Sequence, residues 1–147
     1  MTVIRAALTH PDFGFDITDA EGHVLRLDVP VDHGGGGTGF RPMQTLLAAL
    51  CGCSGVDIVR ILRKQRQQMT NLAMRVDGIR GAGGDVALWE QITLDVSITG
   101  EVEPAKARRA VALSIDTYCS VAATLRRAGA SITWRVTVNG IPVPDQA

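Results

Sequence analysis

The chain has 147 residues, enough for one domain with a real core. Its 15 basic and 15 acidic side chains cancel, so no global field draws it to nucleic acid or to an anionic membrane. Aromatic residues are only 4% of the chain, so core volume must come from Leu, Val, Ile and Ala.

The first third reads as three strands. Val3 to Leu8 starts with β-formers, and Phe13, Phe15 and Ile17 alternate with Gly14, Asp16 and Thr18. Asp19-Ala20-Glu21-Gly22 makes a turn, with Gly22 free to take positive φ. His23 to Val29 carries Leu27 and Val29 alternating against Arg26 and Asp28. Pro30 to Phe40 breaks the pattern, and Gly34-Gly35-Gly36-Gly37 is expected to be a mobile connection. It lacks the Gly-Lys-Ser/Thr ending of a phosphate loop.

Pro42 suits the first turn of a helix. Leu46, Leu47, Leu50, Val56, Ile58, Ile61 and Leu62 extend it to about Gln67, a length of roughly 39 Å that makes it the central helix. Gly52 and Gly55 in its middle each cost about 1 kcal/mol relative to alanine. Close packing against another backbone, or a kink, would account for them. Thr70 to Ile79 and Val86 to Thr99 read as strands, joined by a turn at Gly81 to Gly84. A helix starts over Glu101 to Pro104, a second runs from Ser120 to about Ala128, and Gly129 stops it. Ile132, Trp134, Val136 and Val138 alternate in a last strand, after which Asn139-Gly140 and two prolines end the order. The order β-β-β-α-β-β-α-α-β predicts a single α+β domain over 1–147.

No stretch reaches the roughly 18 apolar residues of a membrane span by this reading. Met1 to Arg5 lacks a basic segment followed by a long apolar one, so no secretory signal is expected. With three cysteines and no export signal, a reducing cytoplasm is the expected compartment. A permanent disulfide is not expected there, whereas a transient one remains open. The basic cluster Arg60 to Arg66 reads as a solvated helix end, not an RNA site.

Cys53 lies in Leu50-Cys51-Gly52-Cys53-Ser54-Gly55-Val56-Asp57, and Cys119 lies at the junction of two helices. A thiol at a helix start is favoured as thiolate, the reactive form. Taken alone, however, a free cysteine most often packs as a small hydrophobe. Cys51 is about 200° from Cys53 around a helix, which argues against a Cys-x-Cys metal site, and Cys51 reads as packing. His10, His23 and His33 show no ligand spacing, and no metal is expected.

Pro42 to Arg66 resembles the central helix of the OsmC/Ohr family of small thiol-dependent hydroperoxide reductases, and Ser114 to Val121 resembles its second cysteine segment. The resemblance extends over nearly the whole chain. It implies the OsmC-like fold as an intertwined homodimer, its long central helices packed together with sites near the interface. It implies Cys53 as peroxidatic and Cys119 as resolving cysteine, no bound cofactor, and an external dithiol as reductant. The family's first cysteine is supported by an arginine and a glutamate, and here this chain departs. Met43 holds the glutamate's place, followed by Gln44, and Phe13 to Asp16 contains no arginine. From their place at the helix start, Arg41 and Gln44 would either hydrogen-bond a substrate oxygen or make only structural contacts.

The expectation is therefore weak thiol-dependent reduction of organic hydroperoxides. The alternative is a non-catalytic dimeric protein that binds a small apolar ligand or senses redox state. Asp57, one turn after Cys53, is expected to have a cationic partner, Arg60 or a residue of the second copy. The apolar residues of the central helix cover more than one face, which by itself predicts an obligate homodimer.

Overall fold

The computed structural model describes residues 1–9, 12–82 and 86–144. They fall into two compact units, Met1–Leu46 and Leu47–Ala147. In the first unit β1 (Arg5–Leu8), β2 (Phe15–Thr18) and β3 (Val24–Leu27) form an antiparallel sheet in chain order. Arg26 and Asp16 face each other across β2 and β3 as an ion pair, the guanidinium Nη2 donating at 3.0 Å. The predicted turn forms as an Asx-turn: Asp19 Oδ1 accepts the amides of Glu21 (3.0 Å) and His23 (2.9 Å), and Gly22 takes a φ of 89°.

The tetraglycine segment is not the loose connection that its composition suggests. The Asp28 side chain, 1% exposed, accepts the amides of Val29 (2.8 Å), Gly36 (3.4 Å) and Thr38 (3.0 Å) and the Thr38 hydroxyl (2.8 Å). A buried carboxylate needs such donors, and the amides of Gly35 and Gly37 tie the same segment to the carbonyls of Pro30 and Val29, both at 3.1 Å. A Cβ at Gly35 would lie 2.2 Å from the Val29 carbonyl oxygen.

Helix α1 (Pro42–Lys64) starts in the first unit and continues into the second. It ends three residues before the predicted limit. Arg66 takes a φ of 56°, and the amides of Arg66 and Gln67 bond the carbonyls of Arg63 (2.9 Å) and Leu62 (3.0 Å), a Schellman-type closure. By length and composition α1 could cross a bilayer, although the sequence reading found no stretch of that kind. Its buried residues, Leu50, Ser54, Ile58 and Leu62, form a single stripe. That is the pattern of a helix packed on one side against a globular core.

The second unit is built on the sheet β4 (Gln68–Arg80), β5 (Trp89–Glu101), β6 (Ser131–Val138) and β7 (Ile141–Pro142), in that order. β5 and β6 are parallel and therefore need a crossover, which α2 (Pro104–Leu113) and α3 (Ser120–Arg127) supply. Ile92, Leu94, Val96 and Ile98 point to one face of β5 and are at most 1% exposed, as are Leu50, Ile58, Leu62, Ala107, Ala110 and Val111. The other face is polar, with Arg135 pairing Asp95 and Thr137 bonding Ser97 across β5 and β6.

Two local features depart from the sequence reading. The expected end of order is a hairpin, because Asn139 (φ 50°) and Gly140 (φ 80°) take the paired positive φ of a tight turn and bring Ile141 against Val138. The junction between α2 and α3 is a π-helical turn, Ser114–Tyr118, closed by the Cys119 amide on the Ser114 carbonyl at 2.8 Å. The turn expected at Gly81 to Gly84 lies partly outside the described residues.

Candidate active site

Cys53 is half-buried on α1, and Cys119 is 2% exposed immediately before α3. Although remote in sequence, the two thiols lie close enough that Cys53 bears on the ionisation of Cys119. The helix placements that bring them together are fixed by ordinary packing. Leu50, Ser54 and Ile58 form the buried stripe of α1, and Ile115, Ala122 and Leu125 are buried around the second cysteine.

Cys119 occupies the N-cap position of α3, where its sulfur accepts the Ala122 amide at 3.4 Å. The helix start alone would favour thiolate. Burial outweighs it: the Cys119 thiol is pushed up to about 11, with the adjacent Cys53 adding to the rise. Cys119 is thus a protonated thiol at neutral pH, contrary to the reading that its position makes it a thiolate. Cys51 is also pushed up, by burial. It lines a hollow of about 700 Å3 with Gly52, Gly55, Val56, Val59 and Met74. Neither glycine approaches another backbone in this chain: a Cβ at Gly52 would meet nothing within 4 Å, and one at Gly55 only Met74 Sδ at 3.6 Å and Leu72 Cδ2 at 3.9 Å.

Sequence reasoning passed over the polar groups that tie down the segments carrying the thiols. Ser54 and Ser114 are both fully buried, and the Ser114 hydroxyl donates to the Ser54 carbonyl at 2.9 Å. Ser54 Oγ turns back to the Leu50 carbonyl at 2.6 Å. Arg126 donates to the Ile115 carbonyl and to Asp116 Oδ1, both at 2.7 Å, and Trp134 Nε1 donates to Asp116 Oδ2 at 3.3 Å. The Arg108 guanidinium lies over the Trp134 ring, 5.0 Å from its centroid. A serine in an apolar helix stripe was the one available signal for this network.

Arg41 and Gln44 belong to the first unit, where they cap α1. Gln44 Oε1 accepts the Arg41 amide at 3.1 Å, and the Gln44 amide donates to the Arg41 carbonyl at 2.9 Å. Gln44 also borders a hollow of about 530 Å3 with Arg26, Thr38 and Phe40. Asp57 is half-buried and forms no salt bridge among the described residues, Arg60 included. His23 bonds Asp19 (2.8 Å) and His33 bonds Asp32 (3.0 Å), whereas His10 lies outside the described residues. Asp19, Glu21 and His23 converge, with the turn amides on Asp19 Oδ1 and the His23 ring on Asp19 Oδ2.

Residues 34–135 match the sequence profile described as OsmC-like protein. Protein YhfA of Escherichia coli (strain K12) is 34% identical over 113 residues, covering 74% of this chain and 78% of YhfA. A hypothetical protein from Aquifex aeolicus VF5 superposes with a TM-score of 0.77 at 27% identity, over 95% of this chain and 98% of that one. The organic hydroperoxide resistance protein OsmC from Legionella pneumophila shares the fold, with a TM-score of 0.71 at 20% identity over 94% of this chain and 97% of that one.

Proposed function

We propose, on the premise that this chain belongs to the OsmC-like protein family, that it reduces organic hydroperoxides through Cys53 and Cys119. The observation that carries this reading is the adjacency of the two thiols, contributed by α1 and by the turn before α3. A relative in fold, the Legionella protein, is named for organic hydroperoxide resistance. The Cys53 thiolate attacks the distal oxygen of the hydroperoxide. The O–O bond breaks, the alkoxide leaves and takes a proton to become the alcohol, and Cys53 becomes a sulfenic acid. The Cys119 sulfur then attacks the Cys53 sulfur. Water leaves with the Cys119 proton and the sulfenic hydroxyl, and a disulfide remains. An external dithiol, such as a cytoplasmic one, restores both thiols by exchange.

Cys53, the half-buried member, takes the peroxide, and the buried Cys119 resolves. This division protects Cys53 from overoxidation because the resolving sulfur is already beside it. Arg41 and Gln44 are assigned to a substrate oxygen only from their place at the start of α1, and their contacts here are those of a helix cap.

The working form is a homodimer. The face of α1 that carries Gly52 is open, with Cys51, Val56 and Val59 beside it, and a second copy would cover it. Asp57 would then meet its cation on that second copy. Gly52→Leu is expected to shift the dimer toward monomer at micromolar concentration, read by light scattering. On a bare helix face the same change would leave assembly untouched and favour the helix by about 1 kcal/mol.

Peptide mapping after one equivalent of an alkyl hydroperoxide tests the redox reading. A Cys53–Cys119 link within one chain, with Cys51 free, is expected. A Cys51–Cys53 link, or no oxidation at all, would leave a binding protein for a small apolar ligand as the better account, with the hollow beside Cys51 as its site.

A further inference from the structure

We propose that Ser114, Asp116 and Arg126 are positioning residues that hold the Cys119 sulfur in reach of Cys53. The proposal rests on the reading of these thiols as a redox pair and adds what sets their separation.

Cys119 is carried by the π-helical turn Ser114–Tyr118. Such a turn inserts an extra residue into the helical path and weakens the regular carbonyl pairing, and it persists where its surroundings hold it. Here it is held at three points. At its start, the Ser114 hydroxyl donates to the carbonyl of Ser54, the residue after Cys53. In its middle, Asp116 receives Arg126 on one oxygen and Trp134 on the other. Arg126 also caps the Ile115 carbonyl, reaching back from the last turn of the helix that Cys119 begins. The braced turn therefore starts at a bond to the neighbour of one cysteine and ends at the other.

Satisfying buried polar groups does not by itself account for the Ser114 bond. The Ser54 carbonyl sits inside α1, in register for the Ile58 amide. An alanine at Ser114 would bring no polar group to satisfy. What the hydroxyl adds is a fixed point between the turn and the segment of α1 that carries Cys53.

Equilibrating the native protein with oxidised and reduced glutathione tests this. The pair and oxidised glutathione yield the protein disulfide and two reduced glutathiones, so the constant reports how well the native fold aligns the sulfurs. Loss of stability that leaves the protein folded does not move it. Ser114→Ala and Arg126→Met are each expected to lower the constant about five- to tenfold, as a lost aligning hydrogen bond would. Arg126→Lys, which returns a cation to the same oxygens, should recover part of the loss. In a Cys119→Ser background, the first oxidation of Cys53 should be unchanged by either variant. Arg126 is about one-third exposed, so it remains testable if the Ser114 variant does not fold. Constants within about twofold of wild type for folded Ser114→Ala and Arg126→Met would overturn the proposal. A wild type that equilibrates with glutathione but consumes no hydroperoxide would overturn the peroxidase reading. The positioning role would then stand or fall on the variants' constants.

Discussion

Cys53→Ser is expected to reduce dithiol-dependent consumption of an alkyl hydroperoxide to the rate of a protein-free control. A serine hydroxyl does not ionise near neutral pH, and its oxygen cannot accept the peroxide oxygen to form a sulfenic acid. Cys119→Ser has a different expected signature. Cys53 still reacts once, so a rapid phase of one equivalent per chain should be followed by arrest as the sulfenic acid, or by further oxidation to the sulfinic acid. The two variants thus separate the attacking from the resolving thiol. The resolving step also carries a pH dependence. Cys119 is held protonated, at about 11, chiefly by burial, and the thiolate is the nucleophile in exchange. Disulfide formation after the first oxidation should therefore quicken as pH rises from neutrality toward that value. Stopped-flow fluorescence can follow the two phases. Unchanged peroxide consumption by Cys53→Ser would end the enzyme reading.

Gly35→Ala should destabilise the first unit by about 1–3 kcal/mol, the cost of forcing a methyl group into filled space. The new carbon would stand 2.2 Å from the Val29 carbonyl oxygen, 2.6 Å from Val29 Cγ2 and 2.8 Å from Asp28 Oδ1. Two of these neighbours cannot swing aside, because one is backbone and the other is the carboxylate that gathers the loop. Urea unfolding of the whole chain measures the cost, and a midpoint equal to wild type would refute the tight approach. The same carboxylate gives the loop an acid limit. The Thr38 amide and hydroxyl, followed by the amides of Val29 and Gly36, lower Asp28 to about 2. An unfolded aspartate titrates near 4, so this stabilisation is complete above about pH 4 and is lost as pH falls toward 2. Asp28→Asn should be less stable at neutral pH and should lose less stability than wild type between those values. Circular dichroism during acid titration reads this difference.

Much of the architecture could be read from local pattern. Alternation at Ile92, Leu94, Val96 and Ile98 marks the inner face of β5, and the run from Pro42 marks α1, because each period reflects burial of one face. Asn139-Gly140 carried a hairpin signal as well, but the short strand after it was too brief to register as a period. The thiol pair was legible only through the resemblance of two segments, since nothing in either segment alone distinguishes a reactive cysteine from a packed one. The tertiary structure decided the rest. It tied the tetraglycine segment to Asp28 and closed α1 at Arg66, a residue with no ordinary preference for positive φ. It also set the protonation of Cys119, because the helix start acts locally while desolvation depends on everything packed around the sulfur. The Ser114–Ser54 and Arg126–Asp116 bonds join residues that share no sequence period. Periodicity records which face of an element is buried. Which polar group on that face meets which partner is fixed only when the elements pack.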